Sequence, residues 1–232
     1  MKYYETRRLF YKKYLYKLTI NTRLARLFST DVSAHKFDFA RRTLETLTPG
    51  KYDLKTLKTL TIGGWRRHIN IGPHCINDAN ALYKNFTSEL DDFKLRCSQQ
   101  NIIIYSNHPE FLEQIMRDVN DDSLVSYYQP NENAVNVLTA EPDIIVSSEP
   151  VEYQYKISLK FDRRRTPALA KWIDENKNKI RIGKYASENI KFGLYYDAFF
   201  YVKDSKTLML VQLSFNDLIK KTEQLVYVQS DK

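Results

Sequence analysis

Glycine is scarce in this chain, six in 232 residues. Neither GxGxxG nor GxxxxGK[S/T] occurs, so no loop is encoded that could wrap its backbone amides round a nucleotide phosphate. Cysteine is scarcer still. Cys75 and Cys97 are too few for a disulfide framework or a cysteine zinc cluster, and they read as reduced thiols. The four histidines are scattered. His68, His74 and Cys75 crowd together, but their spacing is not one that metal sites use and no second ligand pair follows. No metal and no cofactor are expected. HExxH and GxSxG are both missing. Apolar runs are only a few residues long, as in Ile102–Tyr105, whereas a membrane-spanning helix needs about 20. No membrane partner is expected. The opening MKYYETRRLF has no apolar stretch behind its basic residues, so it reads as cytoplasmic (host cytoplasm if viral) rather than secreted.

Material for a core is ample. Hydrophobic residues make up 43% and charged residues 28%, which argues for a folded chain. The length suits one large domain or two small ones. Seventeen tyrosines and twelve phenylalanines stand beside few glycines. Such usage fits an AT-rich genome, phage and other viral genomes included, and many bacteria besides.

Charge is segmented. Residues 1–70 carry net +11, residues 71–155 net −10 and residues 156–232 net +7. Either the acidic middle docks beside the basic ends, or the ends form a basic face while the middle turns away.

Periodicity predicts alternating strands over 13–20, 56–62 and 151–161, a buried strand over 101–106 and a short strand over 123–129. Helices are predicted over 34–48, capped by Asp31 or Ser33, over 76–97, and from Pro109 with Asn107 as cap. Another is expected from Pro167 with Thr166 as cap. Residues 179–185, 193–203, 206–214 and 224–229 read as strands, with Asp204-Ser205 as a hairpin turn and a short helix over 215–222. Residues 131–150 hold Pro142, Pro150 and no cation, and read as a connection carrying one strand. The expected fold is α+β, mostly antiparallel sheet with helices on one side. It comprises an N-terminal module over 1–130 and a C-terminal module over 151–232. Tyr14–Ile20 (YLYKLTI) echoes Tyr153–Leu159 (YQYKISL), which suggests two related modules, although ordinary strand alternation gives the same pattern.

Basic clusters interleaved with aromatics carry the functional expectation. They are Arg7, Arg8, Lys12 and Lys13 among Phe10, Tyr11 and Tyr14; Trp65, Arg66 and Arg67; and Lys160, Arg163, Arg164 and Arg165. Cations neutralise phosphates and aromatics stack on unpaired bases, so the expected partner is single-stranded DNA or RNA. The protein reads as non-enzymatic, acting in replication, transcription or genome handling. The alternative is an interaction module that docks a protein through the acidic segment 71–155, with Glu110, Glu113 and Asp118 on one helix face. Enzymatic readings are weaker. Pro142-Asp143 with Glu152 and Lys156 has the residue types of a metal-dependent nuclease, but not the spacing.

Overall fold

The computed structural model describes residues 1–28, 37–47, 60–62, 65–67, 73–88, 92–98, 100–160, 162, 164–192 and 198–229. These residues form an α+β fold that divides into two compact units. Module 1 is Met1–Thr6 with Lys13–Pro130, and module 2 is Arg7–Lys12 with Asn131–Lys232. The N-terminal chain therefore serves both. Where it returns to module 1, Tyr11 and Lys12 hold positive φ of 53° and 60°, a conformation that costs a non-glycine residue roughly 1–2 kcal/mol.

Module 1 runs β1 (Lys2–Glu5), β2 (Tyr16–Asn21), α1 (Asp38–Leu47), β3 (Leu60–Ile62), β4 (Trp65–Arg67), α2 (Pro73–Phe86), β5 (Phe93–Ser98), β6 (Asn101–Ser106), α3 (Pro109–Asp118) and β7 (Leu124–Gln129). β3 and β4 pair with each other. The main sheet has the order β1-β7-β2-β6-β5, antiparallel except for β1 beside β7. Alternation along β2 sets its two faces. Leu18 and Ile20 are fully buried, while Lys17 and Thr19 point the other way. The buried face meets Leu44 and Leu47 of α1, Leu82 and Phe86 of α2, and Leu112 and Ile115 of α3 in one cluster. Burying each such side chain contributes roughly 1.5–3 kcal/mol. The buried Asp78 of α2 accepts from the Asn120 amide (2.9 Å) and the Ser123 hydroxyl (2.5 Å), fixing the turn that leads into β7.

Module 2 runs α4 (Glu132–Ala140), β8 (Ile144–Ser147), β9 (Tyr155–Leu159), α5 (Thr166–Glu175), β10 (Ile180–Ile182), α6 (Lys184–Phe192), β11 (Phe199–Val202), α7 (Ser205–Phe215) and β12 (Ile219–Tyr227). Its sheet order is β10-β11-β9-β12-β8, antiparallel except for β8 beside β12. Ile157, Leu159 and Phe200 pack with Leu169 and Ile173 of α5, Ile190 of α6, and Val211 and Phe215 of α7.

The two sheets repeat one another strand for strand. β2-α2-β5-β6-α3-β7 and β9-α5-β10-β11-α7-β12 are both β-α-β-β-α-β units, the ferredoxin-like split β-α-β motif, with the last strand paired to the first. Each gains a parallel strand outside its last strand, β1 in one and β8 in the other. The irregularity repeats too. Thr19 and Ile20 face Ser126 and Leu124, and Ser158 and Leu159 face Lys221 and Ile219. Val125 and Lys220 are thus the extra residues of two equivalent β-bulges. The sequence echo falls on β2 and β9, the first strand of each unit.

Several elements depart from the sequence reading. The helix expected over 76–97 ends at Phe86, and Phe93, Leu95 and Cys97 alternate inward along β5. Residues 206–214, read as a strand, are α7. Asp204 is not a hairpin turn but a helix cap, its carboxylate accepting from the Thr207 amide at 2.7 Å. Within the segment read as a connection, α4 buries Ala134 and Leu138. α6 fills the stretch left unassigned between the strands expected over 179–185 and 193–203, and overlaps the end of the first. The residue 215–222 helix is only a 3-10 turn over Asn216–Leu218, after which β12 begins. Asn107 does not cap α3, because its side chain accepts the Leu15 amide at 3.0 Å and His108 stands at the cap position. Thr166 follows the cap residue Arg165 and turns its hydroxyl back to the Asp162 carbonyl. Asp31 and Ser33 lie outside the described residues.

Candidate nucleic-acid interface

In module 1 the helices α1, α2 and α3, and in module 2 the helices α5, α6 and α7, pack apolar residues on one face of the sheet, and strand register defines what lies on the other. Across module 1, one row of that second face reads Tyr4, Tyr128, Lys17, Tyr105, Lys94. The next row reads Lys2, Ser126, Thr19, Ile103, Arg96. Neither row holds a carboxylate. In module 2 the equivalent of the first row is Glu223, Lys156, Tyr201, Arg181. The second gives Lys221, Ser158, Phe199. Lysine matches lysine, tyrosine matches tyrosine, Lys94 matches Arg181 and Thr19 matches Ser158. The exchange is at the last strand, Tyr128 against Glu223.

Module 1 uses that position for aromatic packing. The Tyr4 and Tyr128 rings stack with centroids 4.7 Å apart and planes at 21°. The Lys17 ammonium sits 3.7 Å from the centre of the Tyr128 ring, a contact of about 0.5–1 kcal/mol where solvent still reaches it. Burial lowers the Lys17 pKa below the ordinary lysine value. Lys94 and Arg96 are exposed on β5, and Tyr4 is 42% exposed. Tyr105 is buried, with the Tyr14 ring 6.4 Å away.

Module 2 uses the same position for a charge cluster. Glu223 is only 3% exposed and meets Lys221 at 2.6 Å, Arg8 at 3.7 Å and Lys156 at 3.9 Å. These residues, with Lys220 and Phe199, line a cleft of about 320 Å³. The Lys156 ammonium also stands 4.4 Å from the centre of the Phe199 ring. Asp143 contacts Lys12 at 3.0 Å and the lining residue Lys221 at 3.3 Å. Burial works to raise the Asp143 carboxyl, but the two ammonium groups outweigh it and hold its pKa below the ordinary value.

The sequence-predicted residues scatter over this frame. The Arg7–Tyr14 cluster is divided: Arg7, Arg8 and Lys12 belong to module 2, and Lys13 belongs to module 1, where it pairs with Asp92. Arg8 lines the cleft and Lys12 pairs with Asp143. Trp65, Arg66 and Arg67 form β4, and their side chains lie outside the described residues. Lys160 and Arg164 are exposed, and Arg163 is outside the described residues. Arg165 is held locally, donating to the Ser214 carbonyl at 2.7 Å and pairing with Asp217 at 3.4 Å. On α3, Glu110 contacts His108 at 3.1 Å and Glu113 is exposed. Asp118 accepts from Asn85 at 2.8 Å and Gln114 at 2.9 Å, and these bonds lower its pKa. Asp118 therefore ties α3 to α2.

Sequence reasoning missed Tyr4, Lys17, Lys94, Arg96 and Tyr128 in module 1 and Lys220, Lys221 and Glu223 in module 2, and it weighed Lys156 only beside Glu152 for a nuclease. The signal was present in the echo itself, whose shared Tyr-Lys pair supplies Lys17 and Lys156. Among the described residues no three histidine, cysteine or carboxylate side chains group to hold a metal ion, and no helix is long and apolar enough to cross a membrane. Comparison with protein-family models, with curated proteins and with solved structures gave no match for this chain.

Proposed function

We propose that this chain is a nucleic-acid-binding protein that holds single strands on the second face of its β-sheets, a function suited to replication, transcription or genome handling. The observation that carries this reading is the repeated row, Lys17-Tyr105-Lys94 in one sheet and Lys156-Tyr201-Arg181 in the other. Cations spaced across a sheet neutralise successive phosphates, while Tyr105 is buried and Tyr201 half-buried, so the ring open to a base on this face of module 1 is that of Tyr4. Tyr4, stacked on Tyr128 at one margin of module 1, and Lys94 and Arg96 at the other, give a strand both kinds of contact. Docking of a basic protein on α3 has less support, since Asp118 is engaged with Asn85 and Gln114.

Fluorescence anisotropy with hydroxyl-ended 12-nucleotide DNA and RNA strands, across a salt series, tests the reading. The double variant Lys94→Ala, Arg96→Ala removes two exposed cations and should flatten the log–log salt slope by roughly 1.4 for a single strand. An unchanged slope, or no binding at low salt by the wild type, would sink the proposal.

A further inference from the structure

We propose that the cleft of module 2 is a pocket for a terminal phosphate monoester, the group carried by a free nucleotide and by a phosphorylated strand end. Charge is the first argument. Arg8, Lys156, Lys220 and Lys221 line the cleft, Glu223 is the carboxylate among its lining residues, and Lys221 also pairs with Asp143. An internal phosphodiester carries one negative charge, whereas a monoester carries about 1.5–2 at neutral pH. Four converging cations suit the monoester.

Backbone geometry is the second argument. Consecutive strand residues point to opposite faces, so Lys220 and Lys221 should not share a cleft. The bulge at Lys220 re-aims one of them, and both line it. Module 1 has the same bulge but carries Val125, Ser126 and Tyr128 where module 2 carries Lys220, Lys221 and Glu223. In module 2 the bulged residues are themselves cations.

Preorganisation is the third. Buried Glu223 holds three of the four cations within 4 Å before any ligand arrives, at 2.6, 3.7 and 3.9 Å. Less ordering is then left for binding to impose. Ser158 adds a hydroxyl, and Phe199, 39% exposed, adds a ring edge for an attached sugar or base. The cleft volume of about 320 Å³ lies at the small end of the usual ligand range, about 300–1,000 Å³.

The inference rests on the nucleic-acid reading only where the phosphate belongs to a strand end. The test therefore uses two ligand series on the full chain. One compares 12-nucleotide strands bearing a 5′-phosphate, a 3′-phosphate or hydroxyl ends. The other compares AMP and ATP with adenosine by calorimetry. A terminal phosphate should tighten binding about tenfold or more in at least one series. The series that responds identifies the source. In the variant Arg8→Ala, Lys220→Ala, which alters two exposed side chains, the ratio of phosphorylated to unphosphorylated affinity should fall close to one. A ratio near one in both series for the wild type overturns the pocket, as does a ratio that survives in the variant. If no oligonucleotide binds, the nucleotide series alone decides the pocket, and the failure belongs to the strand-binding proposal.

Discussion

Module 1 and module 2 place a lysine at the same point of the same strand and give it different company. Lys17 lies over a tyrosine ring that is itself stacked on another, and Lys156 lies near a buried carboxylate shared with Arg8 and Lys221. The backbones agree in strand order, in the added parallel strand and in the bulge of the last strand. The divergence is thus a matter of side chains at a few register positions. A tyrosine there leaves a flat aromatic surface, whereas a glutamate gathers cations into a concave cluster. One scaffold is able to offer a stacking face or an anion pocket, depending on which residue occupies the last strand.

Breaking the charged half of this comparison should have the largest effect. Glu223→Gln removes the carboxylate and leaves Arg8, Lys156 and Lys221 facing one another. Removing one partner of a buried ion pair costs about 3 kcal/mol, taken at the low end because the cations retain some solvent. Urea melts should show this loss, and the same melt with inorganic phosphate in place of chloride should recover part of it. Next in size is the aromatic half. Tyr128→Ala deletes the ring beneath Lys17 and beside Tyr4, and should weaken single-strand binding by about 1–3 kcal/mol in an anisotropy titration. Wild-type affinity in that variant would remove the stacking role. The smallest effect concerns Lys17 itself. Its folded pKa is lowered by burial, so between that value and the ordinary one the unfolded chain binds more protons. Wild-type stability should therefore climb with pH on the approach to the ordinary lysine value, relative to Lys17→Met, which lacks that titration. Parallel slopes for the two proteins in melts between pH 8.5 and about 10.5 would show that Lys17 is solvated like any surface lysine.

Much of the fold was legible where one face of an element is buried and the other is not. β2, β6, β9 and α3 fall close to their expected places because Leu18 and Ile20, or Phe111, Leu112 and Ile115, keep a clean period. α7 was misread because its outer side is apolar too. Met209, Leu210 and Leu213 are exposed and mask the inward Thr207, Val211 and Phe215. β5 was absorbed into a helix because Phe86 and Phe93 keep a seven-residue spacing in the sequence. Nearly all of the site was illegible for a different reason. Lys17 meets Tyr128, and Arg8 meets Glu223, across more than a hundred residues of chain. Runs of cations along the sequence drew notice instead, and the fold divides the first such run between two modules.

That division has a consequence for how the chain comes together. β1 pairs with β7, Lys2 opposite Ser126, and the Arg7 carbonyl accepts the amide of Val146. Residues 2–7 therefore wait for partners more than 120 positions downstream. Closing so long a loop carries an entropic cost of about 4 kcal/mol beyond its constant part, so these contacts form late. β2, β5, β6 and β7 can pair while β1 is still loose, and until it docks, the outer edge of β7 is an open template for a strand from another nascent chain. The protein's most vulnerable interval should thus fall between the emergence of residue 129 and the docking of residues 2–5.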